Sequence, residues 1–354
     1  MVVANSPPSL LILLKIMPEI GSFIEYKKDF FNADNDRFAG LIFFQSGREA
    51  LRYLIGHFKI RTIFLPSYFC DDVCAYLKKI KGLKIKEYAL DDKLGIKKSI
   101  LAKIKSKNEG KVAFLMVDFF GRRDPNYDFI AASLKRAGVV LLSDRTHSAL
   151  NSYNNFFDAE LASIKKLFVN LPGAYVGGVK YTGKYARLDL QTGLALLGLK
   201  ERYLKNNDKV LKKKFLEGMR KEEGSLANFH KNARVVKAPK LEEILSKADI
   251  KKMKRARMNN YITLSKNIKP TKKFAWLDLG FAKNETPTFA LIKCTSYKIR
   301  EGLKAHLIKN DIYPPVHWPN GTELSRLLIS IPIDHRYLPK DMRYVSSVIN
   351  RFNK

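Results

Sequence analysis

Lys166 stands in the stretch Ser163-Ile164-Lys165-Lys166, and Asp144 follows the apolar run Val139-Val140-Leu141-Leu142-Ser143 upstream of it. A primary amine can condense with a carbonyl group, and a carboxylate beside it in a dry cleft can hold a cationic partner. His147, three residues beyond Asp144, leaves the same strand end and points into the same small volume. Ser46-Gly47-Arg48-Glu49 precedes an apolar stripe at Leu51, Leu54, Ile55 and Phe58. Ser with Glu three residues on is a capping box, and a helix start that faces a cleft offers amide N–H groups and a positive dipole end to a phosphate. Lys165 and Lys166, on an extended backbone, would point to opposite faces, so that one is buried and the other solvated.

Such groups need a scaffold that brings distant strand ends together. Between residues 40 and 185, apolar β-branched runs alternate with amphipathic ones. Thr62–Pro66 and residues 83–90, 112–120, 139–143 and 174–181 read as strands. Helical stripes lie at Leu51/Leu54/Ile55/Phe58, at Val73/Leu77/Ile80 and at Ile100/Leu101/Ile104. This repetition predicts a mostly parallel sheet covered on both faces, with ligands bound beyond the carboxyl ends of its strands. From about residue 186 the chain turns to long Lys-rich helical stretches, through 241–267, without a low-complexity linker or an internal repeat. After Pro287, a strand at 288–293, a helix at 296–309, a strand at 326–331 and a helix at 340–352 predict a small α+β unit. The expected architecture is α/β, a three-layer αβα domain around a mostly parallel mixed sheet, plus a smaller C-terminal α+β domain. The expected boundaries are an N-terminal segment at 1–39, a large domain with its helical connector at 40–240, and a small domain at 241–354.

With 354 residues and 46% apolar composition, the chain can bury a large core. The early hydrophobic run at 10–14 is broken by Lys15 and has neither a basic leader nor a cleavage site. No signal peptide or membrane span is therefore expected, and cytoplasmic residence follows. Cys70, Cys74 and Cys294 are too few for a disulfide framework and lack zinc-site spacing, so reduced thiols and no metal are expected. The net charge of +31, from 65 Lys and Arg against 34 Asp and Glu, would suit an anionic partner. The lysines are dispersed over 78–86, 97–107, 209–221 and 247–254, with no zinc-finger, RNP or basic-zipper pattern. No specific nucleic-acid partner is expected, while weak peripheral attachment to an anionic membrane is allowed. The absence of GxGxxG and Walker A sequences removes support for nicotinamide-type and P-loop sites.

Taken in order, several segments resemble the nucleotide-sugar aminotransferases of the DegT/DnrJ/EryC1/StrS family, within the pyridoxal phosphate (PLP) enzymes of fold type I. Gln45-Ser46-Gly47-Arg48-Glu49-Ala50-Leu51 is similar to the family's phosphate loop and helix start, and Leu65-Pro66-Ser67-Tyr68 to the following strand and aromatic segment. Val117-Asp118-Phe119-Phe120-Gly121 resembles its strand ending in an aromatic and Gly, and Ser143-Asp144-Arg145-Thr146-His147-Ser148 its cofactor-aspartate strand. Ser163-Ile164-Lys165-Lys166 resembles the segment in which a lysine three positions after a serine forms the Schiff base. Arg257-Met258-Asn259-Asn260-Tyr261, residues 300–318 and residues 325–337 resemble the helix entering the small domain and the closing segments.

The resemblance implies an enzyme, a PLP-dependent aminotransferase that passes an amino group from an amino acid, glutamate first, to a keto sugar on a nucleotide. It implies Lys166 over Lys165 as the Schiff-base lysine and Asp144 as partner of the pyridinium nitrogen. It also implies Ser163 with Ser46, Gly47 and Arg48 around the phosphate, His147 at the ring, Tyr68 as a stacking candidate, and a homodimer. Pro172 and Ala174 depart from the family's acidic residue and second Gly, and Phe69-Cys70 from its Thr-aromatic pair. The Asn-bearing loop that relatives extend to a neighbour's phosphate has no counterpart in the sequence. Lys166 separates the chain from the family's sugar dehydratases, which carry His there. Two alternatives remain at this stage: another fold type I enzyme acting on a non-sugar substrate, and a non-catalytic protein that binds an anionic partner through its basic surface.

Overall fold

The computed structural model describes residues 19–104, 111–153, 156–226, 228–229, 233–318 and 322–352; the hydrophobic run at 10–14 lies outside them. In chain order the strands are β1 (Ile20–Gly21), β2 (Ile42–Phe44), β3 (Thr62–Pro66), β4 (Lys84–Tyr88), β5 (Val112–Val117), β6 (Val140–Asp144) and β7 (Ala159–Ser163). They continue as β8 (Ala174–Gly177), β9 (Ala186–Arg187), β10 (Val235–Lys237), β11 (Phe274–Leu277), β12 (Phe289–Cys294), β13 (Ile312–Tyr313) and β14 (Leu328–Pro332). The helices are α1 (Gly47–His57), α2 (Asp71–Leu77), α3 (Tyr127–Arg136), α4 (Gln191–Asn206) and α5 (Lys209–Leu226). After them come α6 (Pro239–Ser246), α7 (Ile250–Asn267), α8 (Tyr297–Lys309), α9 (Glu323–Leu327) and α10 (Pro339–Arg351).

Successive side chains of a strand point to opposite faces, and here each face has its own cover. Ile63 and Leu65 of β3, Ala113 and Leu115 of β5, and Val140 and Leu142 of β6 pack with Leu51, Leu54 and Ile55 of α1. The intervening Phe64, Phe114, Met116 and Leu141 pack on the other side with Ile100 and with Ile130 and Leu134 of α3. Burial on both faces explains why these strands read as unbroken apolar runs. The sheet order is β4-β3-β5-β6-β7-β8-β2-β10-β9. β4, β3, β5, β6 and β7 are parallel, β8 runs antiparallel to both β7 and β2, β10 pairs antiparallel with β2, and β9 lies parallel to β10. The result is the mixed, mostly parallel three-layer arrangement expected from the sequence. A second, antiparallel sheet, β11-β12-β14, packs Ile292 and Ile331 against Leu264 of α7, Leu303 of α8 and Val345 of α10. β1 pairs in parallel with β13 and so ties the segment after residue 18 onto this smaller unit.

Several elements differ from their sequence expectation. The strand expected at 112–120 stops at Val117, because Phe120 takes a left-handed φ of 55° and Gly121 one of 96°. A Cβ on Gly121 would lie 2.0 Å from Thr286 O, so only glycine allows the chains to approach this closely. Phe120 O accepts from Thr288 N at 2.8 Å across the same contact. The strand expected at 174–181 ends before Gly178, whose φ is 87°. The helix at 241–267 is two helices, with Asp249 capping the second by accepting from Lys252 N. The strand at 326–331 begins with the last turn of α9, which Thr322 caps.

Candidate active site

β6 and β7 are parallel neighbours, so their carboxyl ends, Asp144 and Ser163, open on the same edge of the sheet. α1 starts beside them, with Ser46 as N-cap accepting from Glu49 N at 3.4 Å. Beyond these ends lies a cavity of about 200 Å³ lined by Ser46, Gly47 and Arg48, by Asp144 and His147, and by Ser163 and Lys166. A wider groove of about 730 Å³, along β9 and the starts of α4 and α6, holds none of these groups.

Thr146 couples the two strand ends. Its N–H donates to Asp144 Oδ1 at 2.9 Å, and its Oγ1 accepts from Ser163 N at 3.1 Å. Burial pushes the Asp144 carboxyl above the usual range, against the hydrogen bonds from Thr146.

His147 is 4% exposed, and its Nδ1 accepts from Phe120 N at 3.3 Å. That contact puts the proton of the neutral ring on Nε2, and the left-handed conformation of Phe120 aims the amide. The ring stacks on Phe120, with centroids 5.2 Å apart, and lies within 12° of the Trp318 plane at 6.1 Å. Burial first, then the Lys166 and Arg257 cations, hold the imidazole down to about 3, so it is neutral at physiological pH.

Lys166 projects into the cavity, open to water yet walled by protein. Among the described residues its amine has no hydrogen bond or ion pair. Burial within these walls, then the neighbouring Lys165 cation, pulls the amine below the usual lysine range, against the pull of Glu223 and Cys70. The backbone at 164–166 is a 3₁₀ turn rather than an extended strand. The expectation of opposite faces therefore fails: both lysines line the cavity, and Lys165 is held by Glu223 of α5 rather than left in solvent.

Tyr68 does not reach the cavity. It is 1% exposed and packs edge-on against Trp318 with centroids 4.6 Å apart, whereas Phe69 and Trp318 line the space. The chain leaves β3 at Pro66, so strand alternation no longer decides which of residues 68 and 69 faces inward. Sequence reasoning also missed Thr146, Glu223 and His317, which reach the site from the turn after β6, from α5 and from the loop after β13. A second cavity of about 360 Å³ meets the first along Lys165, Lys166, Glu223 and His317.

The fold is shared with solved aminotransferase structures at low sequence identity. Solved structures with this fold include PseC of Helicobacter pylori, an aminotransferase involved in the biosynthesis of pseudoaminic acid. It aligns at a TM-score of 0.63 and 14% identity, over 88% of this chain and 85% of that one. A DegT DnrJ EryC1 StrS aminotransferase from Brucella abortus aligns at 0.58 and 16%, over 88% and 85% of the two chains. DesI, solved in the presence of its TDP-sugar product, aligns at 0.61 and 13%, over 93% and 86%. No family model and no curated protein matches the sequence.

Proposed function

We propose that this chain is a PLP-dependent aminotransferase that moves an amino group from an amino acid, glutamate first, to a keto sugar carried on a nucleotide. The observation that carries the proposal is the meeting of a helix start, a strand-end carboxylate, a neutral imidazole and a lysine amine in one cavity. This donor set fits the cofactor. The N-terminus of α1, with Ser46, Gly47, Arg48 and Ser163, suits a phosphate. Asp144 suits a cationic ring nitrogen, and Lys166 is an amine without a competing partner among the described residues. When bound, the cofactor supplies an electron sink for the substrate Cα–H bond.

The chain's own groups then divide the work. Asp144, held by Thr146, keeps its negative charge where a cation faces it, since that cation offsets the burial that raises its carboxyl. Lys166 Nζ, held below the usual lysine range by burial and the Lys165 cation, is the group placed to take a proton from the substrate carbon and return it. His147 presents a fixed Nε2–H, and Phe69 and Trp318 add an aromatic wall to the cavity. The nucleotide-sugar acceptor follows from the likeness to DesI, solved in the presence of its TDP-sugar product, and basic side chains near the cleft suit its diphosphate. A homodimer and cytoplasmic residence belong to the same proposal. Among the described residues, no helix is long and apolar enough to cross a membrane.

The test is an absorbance titration with PLP followed by an amino-donor half-reaction and a panel of nucleotide keto sugars. The expected result is a band near the visible edge that borohydride removes, glutamate discharges and one keto sugar restores. Failure to form the band, or a band indifferent to every amino donor, overturns the proposal.

A further inference from the structure

The charges of α5 are sorted by side. At about 100° per residue, Lys209, Val210, Lys213, Lys214, Arg220 and Lys221 fall within about 140° of one face, and all six are exposed. Val210 is 63% exposed among these cations. The opposite side carries Leu211, Phe215, Leu216 and Met219, packed with Leu196 and Tyr203 of α4 and with Phe23. The acids follow that inner side: Glu223 pairs with Lys165 and Glu222 is half-buried, which leaves Glu217 as the outer face's own acid. Lys212, the inward lysine, is matched by Glu19 at 2.9 Å and by Tyr313 Oη at 2.8 Å. The five outer cations make no ion pair among the described residues.

A face of one sign repels itself, and an anionic surface laid against it removes that repulsion. Val210 and the sequence upstream of Glu19 say which kind of surface. Glu19 is fixed at the start of α5 by Lys212 and by Tyr203 Oη–H, which donates at 2.7 Å. Lys205, in the last turn of α4, is exposed at the same turn between the helices. Leu14, the end of the apolar run at 10–14, precedes Glu19 by five residues, so chain length holds it within about 18 Å of Glu19. That run is too short to span a bilayer, and it suits the boundary between headgroups and acyl chains. A nucleic acid would use the cations alone, whereas a bilayer takes both the cations and the apolar run.

We propose that the outer face of α5 binds an anionic lipid surface, with the apolar run at 10–14 as the second, inserting contact. One basic face or one short apolar run gives weak attachment, and the two together give stable attachment. The proposal does not depend on the chemistry assigned to Lys166, and it gives the excess positive charge of the chain a place to act.

Co-sedimentation of the full chain with phosphatidylcholine vesicles, with and without phosphatidylserine, tests the contact. Wild type is expected to sediment with the mixed vesicles and not with phosphatidylcholine alone. Each Lys or Arg at an acidic membrane strengthens binding by roughly fivefold, so Lys209→Gln/Lys213→Gln/Arg220→Gln should bind the mixed vesicles roughly 30- to 100-fold more weakly. Lys78→Gln/Lys79→Gln/Lys81→Gln removes as many exposed charges beyond α2 and should lose less than about threefold. Leu11→Ser/Leu13→Ser should lose about tenfold. The α5 variant should keep the wild-type unfolding midpoint, since its substituted side chains are exposed. Equal losses in the two lysine triples would mean that net charge and not this face is read, and would overturn the proposal. Wild-type protein that ignores phosphatidylserine would overturn it too, as would binding indifferent to the two leucines. Tighter, α5-dependent binding to single-stranded DNA than to the mixed vesicles would assign the face to nucleic acid instead.

Discussion

Glu223→Gln removes the carboxylate that balances Lys165 and leaves Lys166 beside an uncompensated ammonium. The sign follows from the present arrangement, in which Lys165 lowers the Lys166 amine and Glu223 raises it. Losing Glu223 enlarges the neutral fraction of Lys166 near pH 7, and losing the charge in Lys165→Met shrinks it. Unit charges about 7 Å apart at an effective dielectric near 20 interact by roughly 2 kcal/mol. The two side chains keep 39% and 21% of their exposure, so screening reduces this to roughly 0.5–1 kcal/mol, about a two- to fivefold change in the neutral amine. The assay is the rate at which cofactor-free protein takes up PLP, followed by absorbance from about pH 6 to above pH 10. Glu223→Gln should be about two- to fivefold faster than wild type near pH 7 and Lys165→Met slower by a similar factor. All three should converge at high pH, where the amine is neutral in each. Changes in the same direction, or a difference that persists at high pH, would refute the electrostatic reasoning.

Two further perturbations probe the groups around this amine. Gly121→Ala forces a side chain into a left-handed backbone with its Cβ 2.0 Å from Thr286 O. Strain and overpacking together should cost roughly 2–5 kcal/mol in denaturant unfolding, and an unchanged midpoint would contradict the close approach. Asp144→Asn should still acquire the cofactor band through Lys166 and the α1 start, while kcat falls roughly 10²- to 10³-fold. Undiminished turnover would remove Asp144 from the chemistry.

The large sheet was legible because its strands are buried on both faces, which makes Val112–Val117 and Val140–Asp144 continuous apolar runs in sequence. The short return strands were not. Ile42–Phe44, Ala186–Arg187 and Val235–Lys237 owe their pairing to neighbours far away in the chain and are too short to show a period. At the cavity, local motifs pointed to Ser46, Asp144, His147, Ser163 and Lys166, and all five line one space. The errors arose where regular backbone stops. Tyr68 and Phe69 lie past the end of β3, and Lys165 and Lys166 share a 3₁₀ turn that cancels strand alternation. Glu223 and His317 were hidden for another reason, since only tertiary packing carries α5 and the loop after β13 to Lys166.

The proposed chemistry requires that the cofactor be carried by Lys166 and not by Lys165, although both amines line the cavity. The most direct measurement is borohydride trapping of the PLP-loaded protein, followed by proteolysis and mass spectrometry of the peptide that spans residues 163–173. The account predicts one phosphopyridoxyl group, on Lys166, and none after Lys166→Ala. A trapped group on Lys165, labelling spread over surface lysines, or equal trapping in Lys166→Ala would contradict it.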